Sequence, residues 1–370
     1  MSHRFLAVIL CLLSFAASAR SVTDLADRNV QVPDKVERIL LGEGRFLVAL
    51  GLLEGADLTK RLVGTMGEFV VLDPDGYAQY RKQFPALEKL PLVGQTSSDS
   101  FSVEKAISLK PQVAIFGLEG HGPSPANTEV ISKLQAAGIA VVFIDFRKDP
   151  LAHTERSMTL LGQVLGREKE ALAFTDFYRT ELARVTDGLK GVTRKPRVFL
   201  ESRVGLREEC CETMVNGMMG RFLDAAGGEN MARALVPGQV GVINLEYLLS
   251  QQPDIYVATA IGNSVAGAGS RRILMGAGVS AGAAQQSLAS SMKRQGIASL
   301  KAVKSGHAHA IWHHFYDSPL NVVAVQAFAK WFHPDRFATL DPSATLTTLY
   351  KRFQPLPLDG TYWTTLGVTP

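Results

Sequence analysis

Two short stretches of this chain carry the residue types most able to do chemistry. In "REECC" (207–211), Cys210 and Cys211 stand side by side, with Met214, Met218 and Met219 close behind. In "HHFY" (313–316), two imidazoles and a phenol follow a hydrophobic run. The vicinal cysteines admit three chemistries: thiol exchange in a secreted thiol oxidoreductase, a soft-metal site, or an internal disulfide. Adjacent Cα atoms lie ~3.8 Å apart, whereas ordinary disulfides span ~4.4–6.8 Å. A bond between Cys210 and Cys211 would therefore close a tight eight-membered ring, and the redox state stays open. His313, His314 and Tyr316 can stack on a ligand, hydrogen-bond to it or ligate iron directly. Where a chelator already fills the metal's coordination shell, they supply only outer contacts. Arg45, Arg147, Arg203 and Arg207 each follow a hydrophobic run, and a guanidinium fork suits an anionic chelate. Met66, Glu119 and His121 sit in similar places, with a loop in solvent as the plain alternative for the latter two.

The elements that must hold these groups alternate strand and helix. Strands are expected at 38–41, 61–64, 113–116, 141–146, 197–201, 255–259 and 309–312, rich in Val, Ile, Leu and Phe and punctuated by Gly or Pro. Strands separated by helices imply parallel sheets, and ligands of such sheets gather beyond the strands' carboxyl ends. Each residue singled out above lies in such a position. Asp317-Ser318-Pro319 reads as the start of the next helix, with Ser318 as its cap. The run "GAGVSAG" (276–282) reads as loop or helix packing. Residues 167–187 contain no Gly or Pro, and apolar positions recur at Ala171, Phe174, Tyr178, Leu182 and Val185. That pattern predicts one long amphipathic helix of roughly 30 Å. An internal echo flanks it: "VEKAISLKPQVAIFG" (103–117) and "LEYLLSQQPDIYVAT" (245–259) each read as helix, Pro break and strand. A repeat unit on either side of a long helix points to two lobes of related fold.

Composition narrows the function. Of 370 residues, 46% are hydrophobic and 20% charged, and the net charge of +4 comes without the basic runs that nucleic acid demands. The apolar run from Phe5 to Phe15, followed by Ala17-Ser18-Ala19, reads as a signal peptide cleaved after Ala19. The run is too short for a bilayer of ~20 residues, and Leu10 before Cys11 argues against a lipoprotein. Cleavage sends the mature chain, with two cysteines, to an oxidising compartment. Several enzyme signatures fail. "LLGEGRFL" has Gly42 and Gly44 but Leu47 where a dinucleotide loop needs its third glycine, and no phosphate loop, H-E-x-x-H, C-x-x-C or G-x-S-x-G is present. His121, His313 and His314 are too thin a set for a free-metal site of the zinc type.

The stretches "VERILLGEGRFLVALGLLEG", "SVEKAISLKPQVAIFG", "LQAAGIAVVFIDF", "FLDAAGGENMA" and "NLEYLLSQQPDIYVAT", in this order, resemble the helical-backbone substrate-binding proteins of ABC importers, which serve ferric siderophores, haem and cobalamin. The resemblance implies an α/β fold of two lobes with central, mainly parallel sheets joined by one long rigid backbone helix, and ligand held between the lobes. The corresponding divisions are a signal peptide (1–19), a first lobe (20–150), a linking helical segment (151–191) and a second lobe (192–370). It implies little hinge motion, no catalysis and no intrinsic cofactor. The expected cargo is an iron–siderophore complex, with haem, cobalamin or another metal chelate as alternatives. The expected partners are that small-molecule chelate and an inner-membrane ABC permease, met by a monomer. By motif position, Glu104 and Glu246 would dock on the permease, although a Glu near a helix start also favours the helix dipole.

Overall fold

The computed structural model describes residues 19–264 and 270–367, so the signal-peptide run before Ala19 lies outside the described residues. A hairpin of β1 (Ala19–Thr23) and β2 (Asn29–Pro33) opens the described chain. The first lobe then builds a five-stranded sheet from β3 (Ile39–Leu41), β4 (Leu62–Met66), β5 (Leu92–Gly94), β6 (Val113–Gly117) and β7 (Ala140–Ile144), in the order β5-β4-β3-β6-β7. Every pairing in it is parallel. All five residues of β6 are buried, as expected of a strand covered on both faces by helices.

The second lobe adds β8 (Arg197–Glu201), β9 (Glu212–Met214), β10 (Glu229–Asn230), β11 (Val240–Val242), β12 (Ile255–Ala260), β13 (Ala308–Trp312) and β14 (Trp363–Thr365). These form a seven-stranded sheet of order β11-β9-β8-β12-β13-β14, with β10 on β8. Its centre is parallel, whereas β9, β11 and β14 pair antiparallel at the two edges. The seven strands expected from the sequence appear as β3, β4, β6, β7, β8, β12 and β13, four of them starting one residue from the expected position, while β1, β2, β5, β9, β10, β11 and β14 were not expected. Arg38 and Arg61 fall just before β3 and β4; their carbonyls accept from Gln112 N (2.9 Å) and Ile39 N (2.8 Å), and their side chains bond the carbonyls of Leu109 and Lys110 and of Val36 and Leu165. Phe146, expected in a strand, lies beyond β7 as a buried residue packed edge-on against Phe46.

The long helix spans Glu168–Gly188, one residue on from its expected bounds. Helix Pro150–Leu165 precedes it and ends at Gly166 in the left-handed region (φ 63°), so the chain can turn sharply there. The two pack closely: a Cβ on Gly162 would come within 2.5 Å of Ala171. The backbone helix grips both lobes. At its start, Glu168 accepts from Arg20 (3.3 Å), while Arg167 reaches Glu54 of the first lobe (3.2 Å). Further along, Tyr178 donates to Asn321 (2.8 Å), Glu181 accepts from Gln326 (2.8 Å) and Thr345 (3.0 Å), and Phe174 packs edge-on against Phe353. The echo units also hold. Helix Val103–Ser108 leads into β6 and helix Leu245–Gln251 into β12, capped by Ser102 and Asn244. Glu104 and Glu246 occupy the same place in each first turn, and both are exposed.

Candidate functional site between the lobes

The carboxyl ends of β3, β4, β7 and β13 bring a polar cluster to the boundary of the lobes. After β3 the chain runs Gly42-Glu43-Gly44-Arg45, and Arg45 is only 3% exposed. Its backbone N donates to Glu68 Oε1 beyond β4 (2.9 Å). Its Nη2 pairs with Glu43 and, across the boundary, with Asp317 Oδ2 (2.7 Å). Its Nη1 reaches His314 Nδ1 (3.2 Å) and Tyr316 OH (3.3 Å). Arg147, beyond β7, donates from Nη2 to the same Tyr316 oxygen at 2.5 Å. Both guanidinium carbons stand over the Tyr316 ring, at 5.9 Å for Arg45 and 5.1 Å for Arg147. Room for this depends on Gly120: a Cβ there would lie 2.2 Å from Glu43 Oε2.

Hydrogen bonds fix the state of the histidines. His314 Nε2 lies 3.1 Å from the Leu72 carbonyl, so Nε2 carries the proton and Nδ1 accepts from Arg45. Burial, reinforced by the charge of Arg45, holds the His314 imidazole near 3, so it stays neutral. His313 is pushed well below its ordinary value by burial and by His314 and Arg203. Its Nδ1 pairs with Thr259 Oγ1 (2.9 Å), which also accepts from Arg203 N (2.8 Å). Among the carboxyls, burial pushes Glu43 upward, but the charges of Arg45 and Arg147 outweigh it and bring it to about 2. Burial and neighbouring Glu43 raise Glu68 to about 7. Burial also raises Asp317, against the pull of Arg45, and lifts Asp73 to about 6.

His314 and Tyr316, named as candidate metal ligands with His313, are engaged within the protein. Both ring nitrogens of His314 already have partners, and Tyr316 OH takes two guanidinium donors. Among the described residues, no group of three or more His, Cys, Asp or Glu is placed to hold a metal ion. The cluster can instead present N–H donors to an anion from outside its coordination sphere.

Further contacts cross the boundary around this core. Met218 N donates to Arg147 O (3.2 Å), Gln239 Nε2 to Glu119 Oε2 (3.1 Å) and Ser264 Oγ to Asp75 (3.0 Å). His121 flanks the cluster: its Nδ1 pairs with the Thr96 carbonyl (2.8 Å) and its backbone N faces Glu43 Oε2 (3.4 Å).

Of the residues expected to face ligand, Arg45, Arg147, His313, His314 and Tyr316 thus converge, and Glu119 and His121 border them. Met66 does not. It is 1% exposed and packs in the first lobe's core, its sulfur occupying the space a Cβ on Gly94 would take. Arg203 is half-buried with φ 50° and pairs with Glu212 of β9. Arg207 is exposed and, with Cys210, lines a separate second-lobe cavity that no first-lobe residue borders. The cysteines do not join the interlobe cluster, because the "loop" carrying them runs into a short strand, β9, that lies between β8 and the edge strand β11. Cys210 and Cys211 are joined by a disulfide across a cis peptide bond, and Cys211 is fully buried. The helix after "HHFY" begins at Asn321 rather than at Ser318, because His313–Asp317 form a tight 3-10 turn and Ser318 is extended after it. Sequence reasoning passed over Glu43, Glu68, Asp73, Asp317 and Gln239. Glu43 and Asp317 adjoin flagged residues, and their post-strand position was the available signal.

The whole arrangement has counterparts. The model of the family described as "Periplasmic binding protein" matches residues 52–310. The molybdate-binding protein MolA of Haemophilus influenzae is 29% identical over 271 residues, 68% of this chain and 72% of that protein. Among solved structures, the TroA-like periplasmic binding protein FepB from Veillonella parvula superposes with a TM-score of 0.81 at 23% identity, covering 94% of this chain and 99% of that one. MolA with bound molybdate gives 0.68 at 19% identity (92% and 99% covered), and a periplasmic haem-binding protein from Pseudomonas aeruginosa gives 0.55 at 21% (81% and 94% covered). With more than half of its length matched and this two-lobed fold around a helical backbone, the chain belongs to the periplasmic binding protein family.

Proposed function

We propose that this protein captures an anionic metal species between its lobes and hands it to an ABC permease, acting as a monomer in the periplasm. The observation that carries the reading is the convergence of Arg45 and Arg147 on the Tyr316 hydroxyl at the lobe boundary. Two fixed guanidiniums, held by Glu43 and Asp317 and flanked by neutral imidazoles, offer N–H donors to oxygens already bound to a metal. The compactness of the spot, with Arg45, His314 and Tyr316 all buried, favours a small oxyanion of the molybdate type. The MolA relative is named for that ligand. A second reading, an anionic ferric chelate of the siderophore type, is favoured by the half-exposed Arg147 and Arg203 and by the Glu119–Gln239 contact at the rim. There a larger ligand would find room after that contact opens.

Calorimetric titration of the mature protein with molybdate, tungstate, sulfate, ferric siderophores, haem and cobalamin tests the reading. Binding to one anionic metal class, weakened at least ~10-fold by Arg147→Ala, is the expected outcome, since a charge-assisted hydrogen bond contributes about 1.5–3 kcal/mol. No response to any of these ligands, or unchanged affinity in Arg147→Ala, overturns it. Permease docking through Glu104 and Glu246 rests on their matched, exposed placement in the two lobes.

A further inference from the structure

A cavity of about 870 Å³ lies wholly within the second lobe. Its volume falls in the range of sites for drug-sized molecules, ~300–1,000 Å³. One wall is apolar: Val242, Ile243 and Leu245, faced by Ile297 and by the bonded sulfur of Cys210. The opposite wall is helix Ala281–Ser291, which turns Ser287, Ser290 and Ser291 toward the space.

The arginines around this cavity already have acidic partners, while Glu209 and Glu246 of its lining have no ion-pair partner among the described residues. Arg294 is held by both oxygens of buried Glu201 (2.7 and 2.8 Å) and by Tyr256 OH (2.8 Å). Arg271 pairs with Glu208 at the mouth (2.8 Å). Ser287 is likewise engaged, accepting from Leu274 N (3.0 Å) and donating to Ala284 O (2.8 Å). Ser291 differs. It is 6% exposed, borders the cavity, and its Oγ has no hydrogen-bond partner in the protein. A buried hydroxyl without a partner is destabilising, and a ligand atom that bonds to it removes the penalty.

We propose that this cavity is a second ligand site, separate from the interlobe cluster. It takes an uncharged, largely apolar organic molecule with one hydrogen-bonding hydroxyl or carbonyl, such as a phenol. Paired arginines and the carboxylates of Glu209 and Glu246 disfavour an anion, the apolar wall supplies the contact area, and Ser291 supplies the polar anchor. The site does not depend on the identity of the interlobe ligand.

Fluorescence titration of the full mature protein with 2-naphthol tests this. Saturable one-to-one binding is expected, reduced about fivefold by Ser291→Val, the loss of one ordinary hydrogen bond. Ser290→Trp, at an exposed helix position on the cavity's edge, should abolish it by filling the space. Binding at the interlobe site, read by calorimetry with the metal-species panel, should not change in either variant. Failure of 2-naphthol to bind, or binding that survives Ser290→Trp in a protein with wild-type circular dichroism and melting, overturns the proposal. Should the interlobe panel fail while 2-naphthol binds as stated, the functional reading falls and this one stands.

Discussion

The two lobes bring different chemistry to their shared boundary. The first supplies charge: Glu43, Arg45, Glu68 and Arg147 all rise from the ends of its parallel strands. The second supplies neutral rings from a single turn, His313, His314 and Tyr316, with Asp317 the exception. Neither half is complete alone. Arg45 would leave a buried, partly unpaired charge without Asp317, and Tyr316 OH would lose both of its guanidinium donors without the first lobe. The division fixes cations on one side and neutral hydrogen-bonding surfaces on the other.

The largest effect should come from breaking the charged half. Arg45→Ala leaves Glu43 and Asp317 without their counter-ion, and losing one partner of a buried pair is destabilising by about 3–5 kcal/mol. Urea unfolding at pH 7 would measure it, and a loss below ~1 kcal/mol would show that the charges are not mutually dependent.

Acid should test the neutral half next. His314 is held near 3 in the folded chain against an ordinary 6.5. Its contribution is therefore fully present above pH 6.5 and declines toward pH 3, by up to about 1.4 kcal/mol per pH unit. His314→Gln should flatten that slope in melts across pH 3 to 7. Glu68 acts in the opposite sense. It is raised to about 7 from an ordinary 4.5, so its contribution is present below pH 4.5 and is lost as pH rises through 7. Glu68→Gln should gain on the wild type at pH 7.5 and match it at pH 4; a variant equal to the wild type at both values would place the strain elsewhere.

A smaller change sharpens the point where the halves meet. Tyr316→Phe keeps the ring under both guanidiniums but removes the shared oxygen. A loss of about 1–3 kcal/mol is expected, read as a fall in unfolding free energy, with a parallel weakening of ligand binding. The smallest effect on the isolated protein should come from reversing Glu104 and Glu246 together. Melting and ligand affinity stay at wild-type values, while uptake by whole cells falls. Unchanged uptake would remove the case that these matched positions dock the permease.

Much of this was readable in the sequence, for definite reasons. Buried parallel strands write themselves as unbroken apolar runs, so β6, β7, β12 and β13 were plain. The 3.6-residue period gave the backbone helix to within one residue at each end. Arg147 and Tyr316 could be named because post-strand positions are few. What escaped depended on distances between remote segments. Nothing local distinguishes Glu68, which bonds the Arg45 backbone, from a solvated acid. Nothing local shows that Met66 fills a gap beside Gly94. The short strands β9 and β11 are three residues each, too short to carry a period, and the cysteine pair was misplaced with them.

The helix Glu168–Gly188 has a practical consequence for anyone building a biosensor on this chain. Its side chains are fastened to Glu54 and Arg20 at one end and to Asn321, Gln326 and Thr345 further along. A strut pinned to both halves leaves a pair of dyes on opposite lobes little travel to report. A single environment-sensitive fluorophore beside Gln239, at the Glu119 contact across the lobe boundary, would report on local solvent exclusion there instead.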